Sequence, residues 1–140
     1  MALAYYQDEL YVAITTNEAS LLVDNEISIH QLNPSTGEIL NSWEEQWDIN
    51  VTELYEMISV SDGLVCAGSV IEENEFTDAL ILKLDENADE IWKTIVINPD
   101  PENRAYFTEV VQTTDGNYVA AGEWEYSLPE FDEVNGSSND

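Results

Sequence analysis

The chain has 140 residues, of which 44% are hydrophobic, and this is long enough for one core. Thirty Asp and Glu residues outnumber three Lys and Arg residues, so the formal net charge is −27. So few cations cannot neutralise phosphate, which excludes nucleic acids and anionic membrane surfaces as partners. No apolar run reaches the roughly 18 residues of a membrane span, so no membrane insertion is expected.

The first third of the chain predicts four strands. A short strand over residues 3–7 is followed by a second over residues 8–14. Apolar alternation predicts a third strand over 26–32 and a fourth over 38–47. The turn between the last two contains Pro34 and Gly37, which favour turns over strands.

The middle of the chain shows the same plan in complete form. Asp62-Gly63 between two apolar runs is a hairpin signal, because Gly tolerates a positive φ. A polar connector over 72–75 and a turn over 85–89 separate the later strands, and Pro99 and Pro101 close the unit. The predicted strands are 54–60, 64–71, 79–84 and 90–97.

The last part repeats the first half of that plan. Strands are predicted over 105–113 and 117–124, with Glu109 at the position that Glu56 holds in the middle unit. Residues 127–140 read as an acidic loop. We therefore expect about ten strands, arranged as a first unit over 1–48, a complete second unit over 49–102 and half of a third over 103–140.

A period of about 53 residues links these units. Asp8, Asp62 and Asp115 precede similar apolar stretches, and they are spaced by 54 and 53 positions. A fixed period of this size is typical of repeat architectures, and four antiparallel strands per period describe the blade of a β-propeller. The expected fold class is therefore all-β, with about two and a half blades of a longer protein. The alternative is an antiparallel meander or β-sandwich whose similarity arose by chance.

The same stretches resemble a known group of proteins. Residues 115–122, 78–85 and 91–92 resemble the blade repeat of secreted and cell-surface β-propeller proteins, and residues 32–40 resemble the turn of quinoprotein-like propellers. The resemblance implies a fold and says little about activity. Ala88 departs from it, since that turn usually carries Gly, and Glu9 replaces Gly in the first copy.

The acidity predicts adaptation to salt. Acids spread over the surface of a protein this size lie very roughly 15 Å apart. Their summed repulsion is on the order of 25 kcal/mol in unscreened water and about 4 kcal/mol at physiological salt. Typical stability is about 5 to 15 kcal/mol, so screening decides whether the fold is stable. A salt-adapted organism is expected, and calcium-rich surface chemistry is the rival interpretation.

One short motif has the opening spacing of a calcium loop. Asp85, Asn87 and Asp89 alternate as the first ligands of such a loop do. However, the sixth position is Glu90 instead of Gly, and Val96 at the twelfth cannot bind a metal. The alternative, a solvated hairpin turn stabilised by Asp and Asn, is preferred.

The other candidate site residues favour structural roles. An acidic cluster could gather a divalent ion at the rim of a sheet, but composition alone produces such clusters; it consists of Glu72, Glu73, Glu75 and Asp78. His30 has no second His or Cys for zinc or a triad, and Cys66 reads as a small core residue. Trp92 and Trp124 are expected to pack between blades, although tryptophans also stack on sugars. No catalytic, cofactor-binding or metal-binding residue is assigned, and no cofactor is expected.

The composite reading is a non-catalytic scaffold for binding or adhesion in a secreted or surface protein. Its partners would be the remaining blades of a longer chain or other copies, with a protein or carbohydrate ligand. The alternative is part of a propeller enzyme acting on polysaccharide, with an active site largely outside this chain. A cytoplasmic protein of a salt-accumulating cell is the alternative for location.

Overall fold

The computed structural model describes residues 1–17, 25–44, 47, 49–71, 76–100 and 102–126. Within these residues the protein is all-β, without helices, and every strand pairing is antiparallel. The ten strands of the described part are β1 (Ala2–Tyr6), β2 (Glu9–Asn17), β3 (Asn25–Leu32), β4 (Ile39–Glu44), β5 (Asn50–Val60), β6 (Gly63–Ile71), β7 (Asp78–Leu84), β8 (Glu90–Val96), β9 (Ala105–Gln112) and β10 (Tyr118–Trp124).

The strands form three separate sheets in chain order. Sheet 1 has the order β1-β2-β3-β4, sheet 2 has the order β5-β6-β7-β8, and sheet 3 contains β9 and β10. Each strand is therefore hydrogen-bonded to its neighbour in sequence, as in a meander. The turn and strand signals of the sequence specify this arrangement locally, because no strand has to find a distant partner.

All ten predicted strands are present, and their ends differ by a few residues. The largest difference is in β5, which begins at Asn50, four residues before the predicted start at Leu54. Strand β4 ends at Glu44, three residues before the predicted end at Trp47. The acidic connectors over 72–75 and 127–140 lie outside the described residues.

The hairpins between first and second strands confirm the predicted turns but differ in their loops. In sheet 2, Val60 pairs with Gly63, so the two loop residues are Ser61 and Asp62, not the predicted Asp62 and Gly63. Gly63 follows with φ of 143°, and a Cβ there would meet the Leu84 carbonyl oxygen at 2.1 Å. The glycine is thus required at the first strand position, where backbones approach closely.

The loops at the two ends of the chain differ from this one. In sheet 1 the loop residues Gln7 and Asp8 both have positive φ, as a two-residue type I′ hairpin requires. In sheet 3 the loop is longer: the Thr113 N–H donates to the Asn117 carbonyl at 2.8 Å, and Asp115 lies within it. Asp8, Asp62 and Asp115 therefore all occupy the loop between a first and a second strand.

The turn between β7 and β8 explains the departure at Ala88. Its φ is 60°, in the left-handed region, where the corresponding turn of sheet 1 has Gly37 with φ of 71°. The Asp85 carboxylate accepts the backbone N–H groups of Asn87 and Asp89 at 2.8 and 2.9 Å, which holds the bend. The Ala88 methyl group is buried against the core, and this burial offsets part of the conformational cost.

The core has two layers, with sheet 2 in the middle. One apolar cluster joins sheets 1 and 2 and includes Ile29, Leu64 and Leu82. The other joins sheets 2 and 3 and includes Val65 and Val110. Sheet 2 is consequently covered on both faces, and eight consecutive residues of β6 are buried. Sheets 1 and 3 each cover only one face.

Candidate interaction surfaces

The first hairpins of the three sheets share one pairing register. Three sets of pairs occupy the same places: Leu3–Val12, Met57–Cys66 and Val110–Ala120; Ala4–Tyr11, Ile58–Val65 and Val111–Val119; and Ala2–Ala13, Glu56–Ala67 and Glu109–Ala121. Paired residues point to the same side of a sheet, and adjacent residues point to opposite sides. Each hairpin therefore has two corresponding faces that can be compared across the chain.

We name these faces by the direction of the chain. The upstream face carries the Leu3, Met57 and Val110 positions, and the downstream face carries the Ala4 and Ile58 positions. The downstream face of sheet 1 packs on the upstream face of sheet 2. The downstream face of sheet 2 packs in turn on the upstream face of sheet 3. The stack is thus head to tail, and each junction joins the same two kinds of face.

The second strand of sheets 2 and 3 also contains a glycine at the same place. Gly68 pairs with Leu54, while its neighbour Ala67 pairs with Glu56, so that Tyr55 forms a bulge. A Cβ at Gly68 would meet the Glu53 carbonyl oxygen at 2.1 Å.

Gly122 repeats this arrangement in sheet 3. It lies opposite the same kind of bulge, and a Cβ there would meet the Tyr106 carbonyl oxygen at 2.0 Å. Both glycines permit a backbone approach that any side chain would prevent.

One carboxylate crosses the junction between sheets 2 and 3. The backbone N–H of Val110 in β9 donates to Oε2 of Glu56 in β5. A hydrogen bond to a charged acceptor is stronger than one between neutral groups. Glu56 therefore ties the first strand of one sheet to the first strand of the next.

Two polar contacts tie sheet 1 to the β7–β8 turn of sheet 2. The Tyr11 hydroxyl donates to the Glu86 carbonyl at 3.1 Å, and Nε1 of Trp47 donates to the Ala88 carbonyl at 2.8 Å. The Trp43 ring stacks on Tyr11 with centroids 6.2 Å apart. Burial raises the pKa of Tyr11, so its hydroxyl stays a proton donor at neutral pH.

The junction between sheets 2 and 3 contains an unusual cation. The Lys83 side chain is 3% exposed, and its Nζ lies 2.6 Å from Oδ1 of Asp62, which is 73% exposed. The Lys83 hydrogen bond and charge lower the pKa of Asp62. Lys83 snorkels from the apolar junction to the loop carboxylate, so its stem adds to the core.

Aromatic rings line the same junction. Trp92 contacts Tyr118 with centroids 5.6 Å apart, which confirms that Trp92 packs between sheets. Tyr55 contacts Tyr106 at 5.4 Å, and burial raises the pKa of Tyr55 to about 12. Trp124 is 60% exposed, so its expected burial is not found in the described part of the chain.

A cleft of about 260 Å³ opens beside Trp124, between the ends of sheets 2 and 3. Its wall combines the rings of Tyr106, Phe107 and Trp124 with Glu123. The Tyr106 hydroxyl donates to Oε2 of Glu123 at 2.9 Å, and this bond raises the pKa of Tyr106. The cleft thus offers an aromatic surface next to a carboxylate.

Two outer faces lack a covering sheet in the described structure. The upstream face of sheet 1 exposes Leu3 and Tyr5, each by more than half of its surface, and the downstream face of sheet 3 exposes Val111 and Val119 to a similar degree. Glu109 is also exposed on the latter face, at the place that Glu56 holds in sheet 2. Contiguous exposed apolar residues of this kind mark interaction sites.

The residues of the predicted calcium loop serve the turn instead. Both backbone contacts of the Asp85 carboxylate lie within its own hairpin. No group of three or more His, Cys, Asp or Glu side chains in the described residues is arranged to hold a metal ion. The geometry of residues 85–89 therefore matches the preferred interpretation, a turn stabilised by Asp.

The acidic cluster can be followed only at Asp78, because Glu72, Glu73 and Glu75 lie outside the described residues. Asp78 is 2% exposed, and its Oδ1 accepts the backbone N–H of Asn98 at 2.8 Å. Asn98 in turn donates through Nδ2 to the Glu125 carbonyl of the next sheet at 3.3 Å. This carboxylate therefore positions the connection between sheets 2 and 3.

His30 and Cys66 occupy different environments. His30 lies on the upstream face of sheet 1, where its Nε2 is 2.9 Å from Ser28 Oγ and its Nδ1 is 2.8 Å from Ser42 Oγ. The sequence did not single out these serines, although all three residues alternate on neighbouring strands. Cys66 is buried in the core, as expected, and burial raises the pKa of its thiol to about 12.

No described helix offers the length and apolar character that a membrane crossing requires. Comparison with known proteins finds no matching family model, no similar curated protein and no similar solved structure.

Proposed function

We propose that this chain is a segment of a β-propeller and acts as a scaffold for binding or adhesion in a secreted or surface protein of a salt-adapted organism. The observation that carries the proposal is the shared register of the three hairpins together with their head-to-tail stacking. In a propeller, sheets of this kind succeed one another around a central channel.

The positions of the first strands support a radial arrangement. Strand β1 contacts β5, and β5 contacts β9. The closest approaches between different sheets all involve one of these first strands. Sheets that converge on their first strands and diverge at their fourth are what a central axis requires.

The use of polar side chains supports a scaffold. Asp78 and Asp85 hold backbone N–H groups, Lys83 pairs with Asp62, and Glu56 joins two sheets. These groups stabilise loops and junctions, which is a structural use of residues that could otherwise carry chemistry. The predicted separation into units 1–48, 49–102 and 103–140 is part of this proposal.

Salt dependence tests the proposed habitat. Raising NaCl from low concentration to about 2 M should raise the melting temperature, because the Debye length shrinks to a few ångströms. Circular dichroism measures the transition, and KCl serves as a second salt. A melting temperature that stays constant across the titration would contradict salt adaptation.

An enzymatic alternative is favoured by the cleft beside Trp124. A wall of aromatic rings with an adjoining carboxylate suits a neutral sugar, which stacks on rings and donates its hydroxyls. In this alternative, the chain is part of a propeller enzyme acting on polysaccharide. Its reaction would use residues of other blades as well.

Binding and turnover distinguish the two functions. The chain is incubated with neutral polysaccharides in about 2 M NaCl, and both retention on the polysaccharide and release of reducing ends are measured. The scaffold predicts retention that Trp124→Ala weakens and Ile39→Ala, a change at another exposed apolar residue, leaves unchanged. Release of reducing ends would favour the enzyme, and retention unaffected by Trp124→Ala would remove the cleft from the account.

A further inference from the structure

The two uncovered faces of the stack are of complementary kinds. Each junction inside the molecule joins a downstream face to an upstream face. The upstream face of sheet 1 and the downstream face of sheet 3 are the two that remain. The first presents Leu3 and Tyr5, and the second presents Val111 and Val119.

The two internal junctions show how such faces fit. Met57, Val110 and Leu3 hold the same register position on the upstream face of their sheets. Met57 and Val110, which face a neighbouring sheet, are 2% and 1% exposed, whereas Leu3 is 56% exposed. The apolar side chain of Leu3 is thus of the type that is buried wherever this position has a neighbour.

The polar contact between sheets 2 and 3 also has both halves at the outer faces. Glu56 accepts the N–H of Val110, and Glu109 occupies the place of Glu56 on sheet 3. The Val110 N–H points away from β10, since it bonds to Glu56. Leu3 has the register of Val110, so the alternation of an antiparallel ladder directs its N–H away from β2.

We propose that a second copy of this chain docks the upstream face of its sheet 1 on the downstream face of sheet 3, with Leu3 and Tyr5 packed on Val111 and Val119. Glu109 of one copy then accepts the Leu3 N–H of the next. The inference rests on the proposed function, because it extends the stacking of propeller sheets from one chain to two. The contact is heterologous, so it propagates into a ring or a filament.

Charge sets the condition for this association. Each copy has a formal net charge of −27, and two copies repel each other strongly in dilute salt. At about 1 M salt the Debye length is about 3 Å, so only charges in direct contact still repel. Association is therefore expected in concentrated salt and is lost on dilution into low salt.

Sedimentation of the full chain in about 2 M NaCl tests the proposal. The wild type should form species larger than a monomer, and Leu3→Asp and Val119→Asp should each be monomeric. Ile97→Asp places the same charge at an exposed residue on neither face, and it should associate like the wild type. Glu109→Ala should weaken association about tenfold, as the loss of a charge-assisted hydrogen bond predicts.

A mixture of the two monomeric variants gives the sharpest result. The Leu3→Asp copy retains its downstream face, and the Val119→Asp copy retains its upstream face, so together they should form one intact contact and stop at a 1:1 dimer. A wild type that stays monomeric, or a mixture that stays monomeric, would overturn the proposal. Far-UV circular dichroism of the same samples separates this outcome from failure of the sheet stack, because folded monomers would leave the proposed function intact.

Discussion

Sheets 2 and 3 share a hairpin register but differ in burial. Eight consecutive residues of β6 are buried, whereas most residues of β10 are exposed. The difference follows from neighbours, because sheet 2 is packed between two sheets and sheet 3 against one. Corresponding residues thus have unequal energetic value, as in repeat proteins whose stability sums contributions from adjacent units.

The largest effect is expected at the glycines opposite the bulges. Gly68→Ala should cost about 3 kcal/mol or more, because its Cβ would overlap a backbone oxygen in a sheet that is covered on both faces. Gly122→Ala creates a similar overlap in sheet 3, which has room to shift, and should cost less. Denaturant unfolding measures both.

Gly37→Ala is the control for these substitutions. Gly37 has φ of 71°, and a Cβ added there would have no atom within 4 Å, so only conformational strain of about 1 kcal/mol is expected. Equal costs at Gly68 and Gly37 would show that close backbone approach does not limit sheet 2.

A second pair compares buried and exposed apolar residues at one register position. Met57→Ala should cost about 3 kcal/mol, because it removes a side chain from the junction of sheets 1 and 2. Leu3→Ala should change the stability of the monomer by about 0.5 kcal/mol or less. Thermal unfolding in low protein concentration provides both values, and a costly Leu3→Ala would mean that the upstream face of sheet 1 is already covered.

The two corresponding glutamates form a third pair. Glu56→Ala should cost about 2 kcal/mol, since the Val110 N–H loses a charged acceptor. Glu109→Ala should stay within about 0.5 kcal/mol in the monomer, because its carboxylate is exposed. Should both substitutions prove neutral, the contact between β5 and β9 would not stabilise the stack.

The smallest effect concerns pH and the Lys83–Asp62 pair. The pKa of Asp62 is lowered in the folded protein, so the pair stabilises the fold above the ordinary carboxyl pKa. This contribution disappears as the pH falls through the lowered pKa of Asp62. Melting temperatures of the wild type and Lys83→Met should therefore converge between about pH 5 and pH 2.

Lys83→Met keeps the buried stem and removes only the charge, so packing is nearly conserved. The other acids titrate alike in both proteins and cancel in the difference. A difference in melting temperature that is independent of pH would show that the ion pair does not contribute.

Much of the local structure was predictable from the sequence. Alternating apolar residues and the turns at Asp62 and Asp115 identified the strands, because hairpins are encoded by neighbouring residues. The strain at Ala88 was also visible, since an alanine replaces the expected glycine in a turn of known shape. Signals of this kind need no information about distant parts of the chain.

The junctions between sheets were much less predictable. The spacing of Glu56 and Glu109 marked them as corresponding residues, but not that one of them accepts the N–H of Val110. Likewise, nothing local indicates that Lys83 is buried and reaches Asp62 across two strands. These contacts depend on how faces stack, and a single sequence with many acids does not specify which carboxylate meets which donor.

Amide hydrogen exchange in about 2 M NaCl tests the stacked arrangement most directly. The account predicts that amides of β6 and β7, covered on both faces, exchange most slowly. Amides of β10 should exchange much faster, although the Val110 amide of β9 should be protected by Glu56 and lose that protection in Glu56→Ala. Exchange from β6 as fast as from β10, or a Val110 amide unprotected in the wild type, would contradict it.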